Sequence, residues 1–227
     1  MERAQMSKGM FFALGSIAGL AGIASADLMV TEAFVGLSGE DGTVDWIELT
    51  NMGMAPLNTG DFKYDDDSAD PLDAGTLDSF VLAPGESAVF LISDDDGPSN
   101  DDDFTSALGE FAAIWGDVDN VGLTNGGGNL GQGGDEVVIF DAMDMIVASA
   151  VTPGDLSGEL ATIDFVSGAA LSQVGVNGAY ESNPFFNDNL GLPNDQATLI
   201  GSPGAIPAPG AFAAMGVAGV AASRRRR

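Results

Sequence analysis

The chain has no cysteine and no histidine in its 227 residues, and only 7 lysines and arginines. Without cysteine there is no disulfide framework and no thiolate nucleophile, and without histidine the commonest general base and imidazole metal ligand are missing. Catalysis by this chain would have to rely on carboxylates, such as a pair of acidic residues that hydrolyses a glycoside, and the sequence selects no such pair. We therefore expect a protein that is not an enzyme, with an extracellular carboxylate-based hydrolase as a remote alternative.

Basic residues are confined almost entirely to the two ends of the chain. Between residues 27 and 205, Lys63 is the single basic residue against 33 acidic ones, so this portion carries a net charge of about −32. Nucleic-acid binding depends on Lys and Arg replacing condensed counterions, and we therefore expect no nucleic-acid partner. Cations or a basic extracellular polymer are compatible with this surface.

The first 26 residues have the order of a secretory signal peptide. Arg3 and Lys8 precede an apolar run over residues 9–23, and the small residues Ala24, Ser25 and Ala26 follow. A buried N-terminal helix is the alternative, but Gly15, Gly19 and Gly22 within the run disfavour it. We expect signal peptidase to recognise Ala24 and Ala26 and to cleave after Ala26, which predicts export.

The last 22 residues place a turn, an apolar stretch and a basic cluster in that order. The apolar stretch over residues 210–222 has 13 residues, whereas a helix needs about 20 to span hydrocarbon. Arginines on one flank hold that side in the cytoplasm. Because the apolar stretch is too short to span the membrane, a sorting signal that is processed is favoured over a permanent transmembrane helix. The alternative is a low-complexity tail on a soluble protein. The processing residues are Pro207, Pro209, Arg224, Arg225, Arg226 and Arg227.

This C-terminal order resembles the PEP-CTERM tail of bacterial exported proteins, with Pro207-Ala208-Pro209 where the family has Pro-Glu-Pro. The resemblance implies recognition by an exosortase-like sorting enzyme. It also implies membrane association before processing and a final place at the cell surface, in the outer envelope or in the extracellular matrix.

Short β-rich runs separated by turn residues recur between the two ends. The spacing predicts strands over residues 27–35, 45–51, 62–64, 79–82, 88–93, 136–140, 146–151, 160–165 and 171–176. One helix is predicted over residues 104–115, where Phe104, Leu108, Phe111 and Trp115 form an apolar stripe that would cap an open end of a pair of sheets. Few helix signals and 32 glycines favour an all-β fold, an antiparallel β-sandwich.

Several blocks of this region resemble the lamin tail domain. They are Glu32, the Asp45-Trp46-Ile47-Glu48-Leu49-Thr50-Asn51 block, Leu57, Phe62, residues 82–86, residues 122–127 and residues 135–141. The resemblance implies an immunoglobulin-like sandwich used in bacteria as an extracellular module without catalysis of its own. Phe62 stands where the family commonly has Trp, and residues 65–78 form an acidic insertion.

The central block predicts how its strand packs. Trp46, with Leu49 or Ile47, is expected to anchor the core, because each such side chain contributes about 1.5 to 3 kcal/mol when fully buried. Glu48 is either on the solvent face or buried and bonded to backbone N–H groups. The alternation of the strand favours the solvent face.

Clusters of aspartates are the one candidate for a ligand site. The weak metal candidates are Asp94, Asp95, Asp96, Asp101, Asp102 and Asp103. Carboxylates are the donors that Ca²⁺ takes, but the spacing fits no known Ca²⁺ loop, and a solvated acidic surface is the favoured interpretation. No other cofactor is expected.

Together these features predict four segments. Residues 1–26 are a signal peptide, 27–152 a lamin-tail-like sandwich, 153–205 closing strands and a linker, and 206–227 the sorting segment. The predicted function is a non-enzymatic surface or matrix protein that displays one module. A Ca²⁺-dependent binding or adhesion module is the alternative.

Overall fold

The computed structural model describes residues 28–101 and 103–205. The predicted signal peptidase site at Ala24 and Ala26, the predicted sorting segment with Pro207, Pro209 and Arg224 to Arg227, and Asp102 lie outside the described residues. Within them the chain forms sixteen strands and one α-helix, α1 (Ala107–Trp115). The strands are β1 (Leu28–Phe34), β2 (Trp46–Asn51), β3 (Leu57–Asn58), β4 (Lys63–Asp65), β5 (Gly75–Leu77), β6 (Val81–Leu82), β7 (Ser87–Ile92), β8 (Val121–Asn125), β9 (Glu136–Phe140), β10 (Ile146–Val151), β11 (Ile163–Asp164), β12 (Ala170–Leu171), β13 (Tyr180–Glu181), β14 (Phe185–Phe186), β15 (Gln196–Ala197) and β16 (Ile200–Gly201).

Ten of these strands form one sheet, in the order β10-β9-β4-β5-β8-β7-β2-β1-β11-β12. The predicted all-β class is confirmed. The prediction of a wholly antiparallel arrangement is wrong at one place, because β7 and β8 pair in parallel, with Val89 opposite Val121. The chain between them contains α1, and a crossover of this length is what parallel neighbours require.

The sheet curls, so that β10 at one edge lies close to β1. Residues on the central strands alternate between two cores, as the period of a strand dictates. Ile47, Leu49 and Phe90 point into the core enclosed by the curl, whereas Trp46 and Leu91 point into a second core on the opposite face. Both faces of the sheet centre are therefore buried, and β2 has no exposed residue.

Helix α1 covers the second core. Its Phe111 and Trp115 rings contact Trp46 edge to face, with centroids 5.9 and 6.1 Å away. The predicted helix and its stripe are confirmed at Phe111 and Trp115, but the helix begins at Ala107. Phe104 precedes the cap, and the helix packs on a face of the sheet instead of capping an open end. Ser106 is the N-cap, since its side chain accepts a hydrogen bond from the Gly109 amide.

Most predicted strands exist, with shifts of one to three residues at their ends. The β9 and β10 ranges agree fully with the prediction. The strand predicted over 171–176 is wrong beyond Leu171, because the chain turns through Gly175, whose φ of 84° suits glycine. The predicted acidic insertion contains β5, which joins the main sheet between β4 and β8.

Residues 153–205 add to the main fold. Strands β11 and β12 extend the sheet beside β1. Phe185, Ala197 and Leu199 fill the second core together with α1. This segment therefore covers the face of the sheet that the curl leaves open.

Candidate functional site

A groove of about 710 Å³ lies where three loops meet beside the ends of β1, β2 and β7. The loops follow β1, β7 and β8 in the chain. The apolar surface of the groove comes in part from Leu37, Ile92 and Leu130. The polar side chains that line it are Ser38, Thr43, Asp45, Ser93, Asn100, Asn129 and Gln132.

Asp45 fixes the shape of the groove from the start of β2. Its Oδ1 accepts a hydrogen bond from the Gly36 amide at 2.5 Å, and its Oδ2 accepts one from the Leu130 amide at 2.7 Å. One carboxylate thus ties together two loops that are 94 residues apart in the chain. Burial raises the pKa of Asp45 to about 6, against the opposing effect of these two bonds.

Gln132 makes a second link across the same loops. Its Nε2 donates to the Gly36 carbonyl at 2.7 Å and to the Ser38 hydroxyl at 3.1 Å. The walls are therefore held by internal hydrogen bonds, while the Asn100 and Asn129 side chains are exposed at the rim. Walls that are already ordered lower the entropic cost of binding at such a groove.

The groove offers hydrogen-bonding groups and no evident catalytic pair. Its lining holds amides, hydroxyls and a single carboxylate, Asp45, whose oxygens both bond backbone amides. A hydroxyl nucleophile such as Ser93 would need an adjacent base, and the chain has no histidine to serve as one. The groups that line the groove can donate and accept hydrogen bonds.

The predicted metal candidates lie in the long connection between β7 and α1. Asp95 Oδ1 accepts from the Gly97 amide at 2.9 Å, and Asp101 Oδ1 accepts from the Asp103 amide at 2.8 Å. Asp96 Oδ1 accepts from the Ser106 hydroxyl at 2.6 Å and from the Leu108 amide at 3.0 Å, so it supports the start of α1. Asp94 is exposed at the edge of a small pocket beside the groove.

Across residues 28–101 and 103–205, no three acidic side chains form a group that could hold a metal ion. Several of the candidate carboxylates instead cap turns and the helix. Ca²⁺ binding by these loops stays a prediction.

A second polar cluster is buried in the sheet, and sequence reasoning missed it. Glu32 on β1 and Glu48 on β2 are opposite each other in the ladder, and Asp164 on β11 is opposite Glu32 on the other side. Glu32 and Glu48 are 1% and 2% exposed, so the predicted solvent position of Glu48 is wrong. The alternation of β2 correctly puts Glu48 on the opposite face from Ile47 and Leu49. Residues 201–204 cover that face and exclude solvent from it.

Hydroxyl side chains surround these carboxyls. Thr31 Oγ1 donates to Glu48 Oε1 at 2.5 Å and lies 2.8 Å from the Thr50 hydroxyl, which is 2.7 Å from that of Ser87. Thr162 Oγ1 donates to Glu32. Thr31 and Thr50, beside Glu32 and Glu48 on the neighbouring strands β1 and β2, were a sequence signal for a buried polar network.

No protein-family model matches this chain, and no curated protein matches it either. In the part of the chain that the structure describes, no helix is both long and apolar enough to cross a membrane. The longest α-helix there is α1, with 9 residues.

Proposed function

We propose that this protein is an exported, non-enzymatic surface or matrix protein that displays one folded module and uses its polar groove for binding. The signal-peptide order of residues 1–26 and the apolar and basic order of residues 206–227 support export and sorting. The groove supports a binding role, because its walls are held by Asp45 and Gln132 while Asn100 and Asn129 face solvent.

We infer further that the module is an immunoglobulin-like sandwich of the lamin-tail kind. The curl of the ten-stranded sheet supports this, since it brings two halves of one sheet together around the core that contains Ile47 and Phe90. The Trp46 block, which carries the resemblance, lies in β2 at the centre of the sheet and supplies side chains to both cores.

The carboxylate-hydrolase alternative gains no support from the paired glutamates. Glu32 and Glu48 are enclosed by the sheet and by residues 201–204, and neither lines the groove. A substrate would have no route to them without opening the fold.

The test is the identity of the mature ends of the protein, measured by mass spectrometry after expression in a secreting bacterium that has a sorting enzyme. We expect the mature chain to begin at Asp27 and to lack the basic cluster of residues 224–227. A variant with all four terminal arginines replaced by serine is expected to be exported but left unsorted. Surface protein that still begins at Met1, or sorting that is unaffected by the four serines, would contradict the proposal.

A further inference from the structure

The last described residues, 202–205, are attached to the domain through the two buried glutamates. The Ser202 amide and hydroxyl donate to Glu32 at 2.8 and 2.9 Å. The Gly204 amide donates to Glu48 Oε2 at 2.7 Å. Before this point the chain is held by β16, where Gly201 pairs with Tyr180. Within residues 202–205, the Ala205 amide also donates to the Ser202 carbonyl, which forms a turn.

Packing brings the segment against the carboxyls. A Cβ on Gly201 would lie 3.0 Å from Glu32 Oε1 and 2.8 Å from the Trp115 ring, so only glycine fits there without displacement. Gly204 has a φ of 73° and packs on Val118. The segment therefore follows a path set by the buried glutamates and by the residues at the end of α1.

The ionisable groups around Glu32 and Glu48 are acidic. Asp164 on β11 and the phenol of Tyr180 on β13 face Glu32, and Glu32 itself faces Glu48. Lys63, the single basic residue between 27 and 205, pairs with Asp144 at 2.7 Å. Ionising both carboxyls is disfavoured in such a place, because it would leave two buried like charges beside each other.

Both carboxyls keep their protons up to a higher pH than an exposed glutamate does. Burial raises the pKa of Glu32 to about 7, against the bonds from Thr162 and Ser202. Burial, and then the charge of Glu32, raises the pKa of Glu48 to about 8, against the bonds from Thr31 and Gly204.

We propose that Glu32 and Glu48 form a proton-controlled clasp, which holds residues 202–205 against the sheet while the pair retains a proton and loosens them when both carboxyls ionise. The closed clasp binds protons that an exposed glutamate, with a pKa near 4.5, would have lost. Opening therefore releases protons, and it becomes more favourable as the pH rises from about 5 to about 8. The increase is up to about tenfold per pH unit for each proton released, and it levels off at higher pH.

The clasp determines whether residue 205, from which residues 206–227 continue, is held against the sheet. It acts on residues 202–205 whatever happens to the residues after them, so its test is independent of the proposed export and sorting. The functional consequence is that acid would hold the start of the C-terminal segment close to the module and alkali would free it.

The test is hydrogen exchange of single amides in the full-length chain between pH 5.5 and 8.5, corrected for the intrinsic pH dependence of exchange. We expect protection of the Gly204 amide to fall at least tenfold across this range. Protection of the Val89 amide, which bonds the Asn120 carbonyl, should stay within about threefold. Glu48→Gln keeps an acceptor for Gly204 and removes one of the two titrations, so it should make the Gly204 profile shallower. Glu86→Gln, at an exposed turn, should leave it unchanged.

Two results would overturn the clasp. One is a Gly204 profile that is flat in the unmodified chain. The other is parallel loss of protection at Gly204 and Val89, which would mean that the whole domain opens and not the segment. If Glu48→Gln fails to fold, Glu32→Gln and the comparison of Gly204 with Val89 in the unmodified chain still decide between these results.

Discussion

Among single residues, Asp45 holds the groove together through two backbone amides. Asp45→Ala would leave the Gly36 and Leu130 amides without their partner. A hydrogen bond to a charged group is worth about 1.5 to 3 kcal/mol, and we expect the free energy of unfolding to fall by about 2 to 3 kcal/mol. Chemical denaturation of the purified protein at pH 7.5 measures this loss.

Asp94→Ala is the matched control, because Asp94 lies nearby and is exposed. We expect this substitution to change the unfolding free energy by no more than about 0.5 kcal/mol. Equal losses for the two substitutions would show that Asp45 does not organise the loops. The same comparison separates a carboxylate that shapes the groove from one that adds only surface charge.

Among the elements, α1 depends on a cap shared by two side chains. The Ser106 hydroxyl accepts from the Gly109 amide at 3.0 Å and donates to Asp96. Ser106→Ala should lower stability by about 1 kcal/mol, the usual value of an N-cap. The exposed neighbour Thr105 provides the control, since Thr105→Ala removes a hydroxyl without removing a cap. Thermal unfolding followed by the signal of Trp46 and Trp115 reports the difference, and equal melting temperatures would contradict the cap.

For the whole molecule, the net charge of about −32 between residues 27 and 205 opposes compaction. This repulsion is screened over a Debye length of ~10 Å at 0.1 M salt and ~3 Å at 1 M. We expect the melting temperature to rise with NaCl. A melting temperature that does not change between 0.1 and 1 M would show that the charges are too dispersed to matter.

Ca²⁺ at matched ionic strength distinguishes screening from a bound ion. A specific site saturates at low concentration and stabilises the folded state by mass action, which Na⁺ cannot reproduce. We expect Ca²⁺ to add nothing beyond the salt effect. A saturable rise that is abolished by Asp94→Asn, Asp95→Asn and Asp96→Asn together would favour the Ca²⁺-dependent adhesion alternative. Because Asp96 supports α1, Asp94→Asn with Asp95→Asn alone is the control for a loss of helix stability.

Much of the architecture could be read from local sequence pattern. The predicted core anchors Trp46, Ile47 and Leu49 are all buried, and the stripe of Phe111 and Trp115 correctly marked a helix. These patterns are reliable because a strand or a helix repeats its side-chain directions over neighbouring residues, whatever the rest of the chain does. Short strands such as β13 to β16 were not predicted, since two residues carry no periodicity.

Distant contacts determined the rest, including both candidate sites. The alternation of β2 assigns Glu48 to a face, but whether that face meets solvent depends on Gly204, 156 residues away. The groove likewise forms because Asp45 reaches Leu130, 85 residues along the chain. Sequence pattern therefore specifies which way a side chain points, and chain topology specifies what covers it. Burial, shifted pKa values and the shape of a groove all follow from that covering.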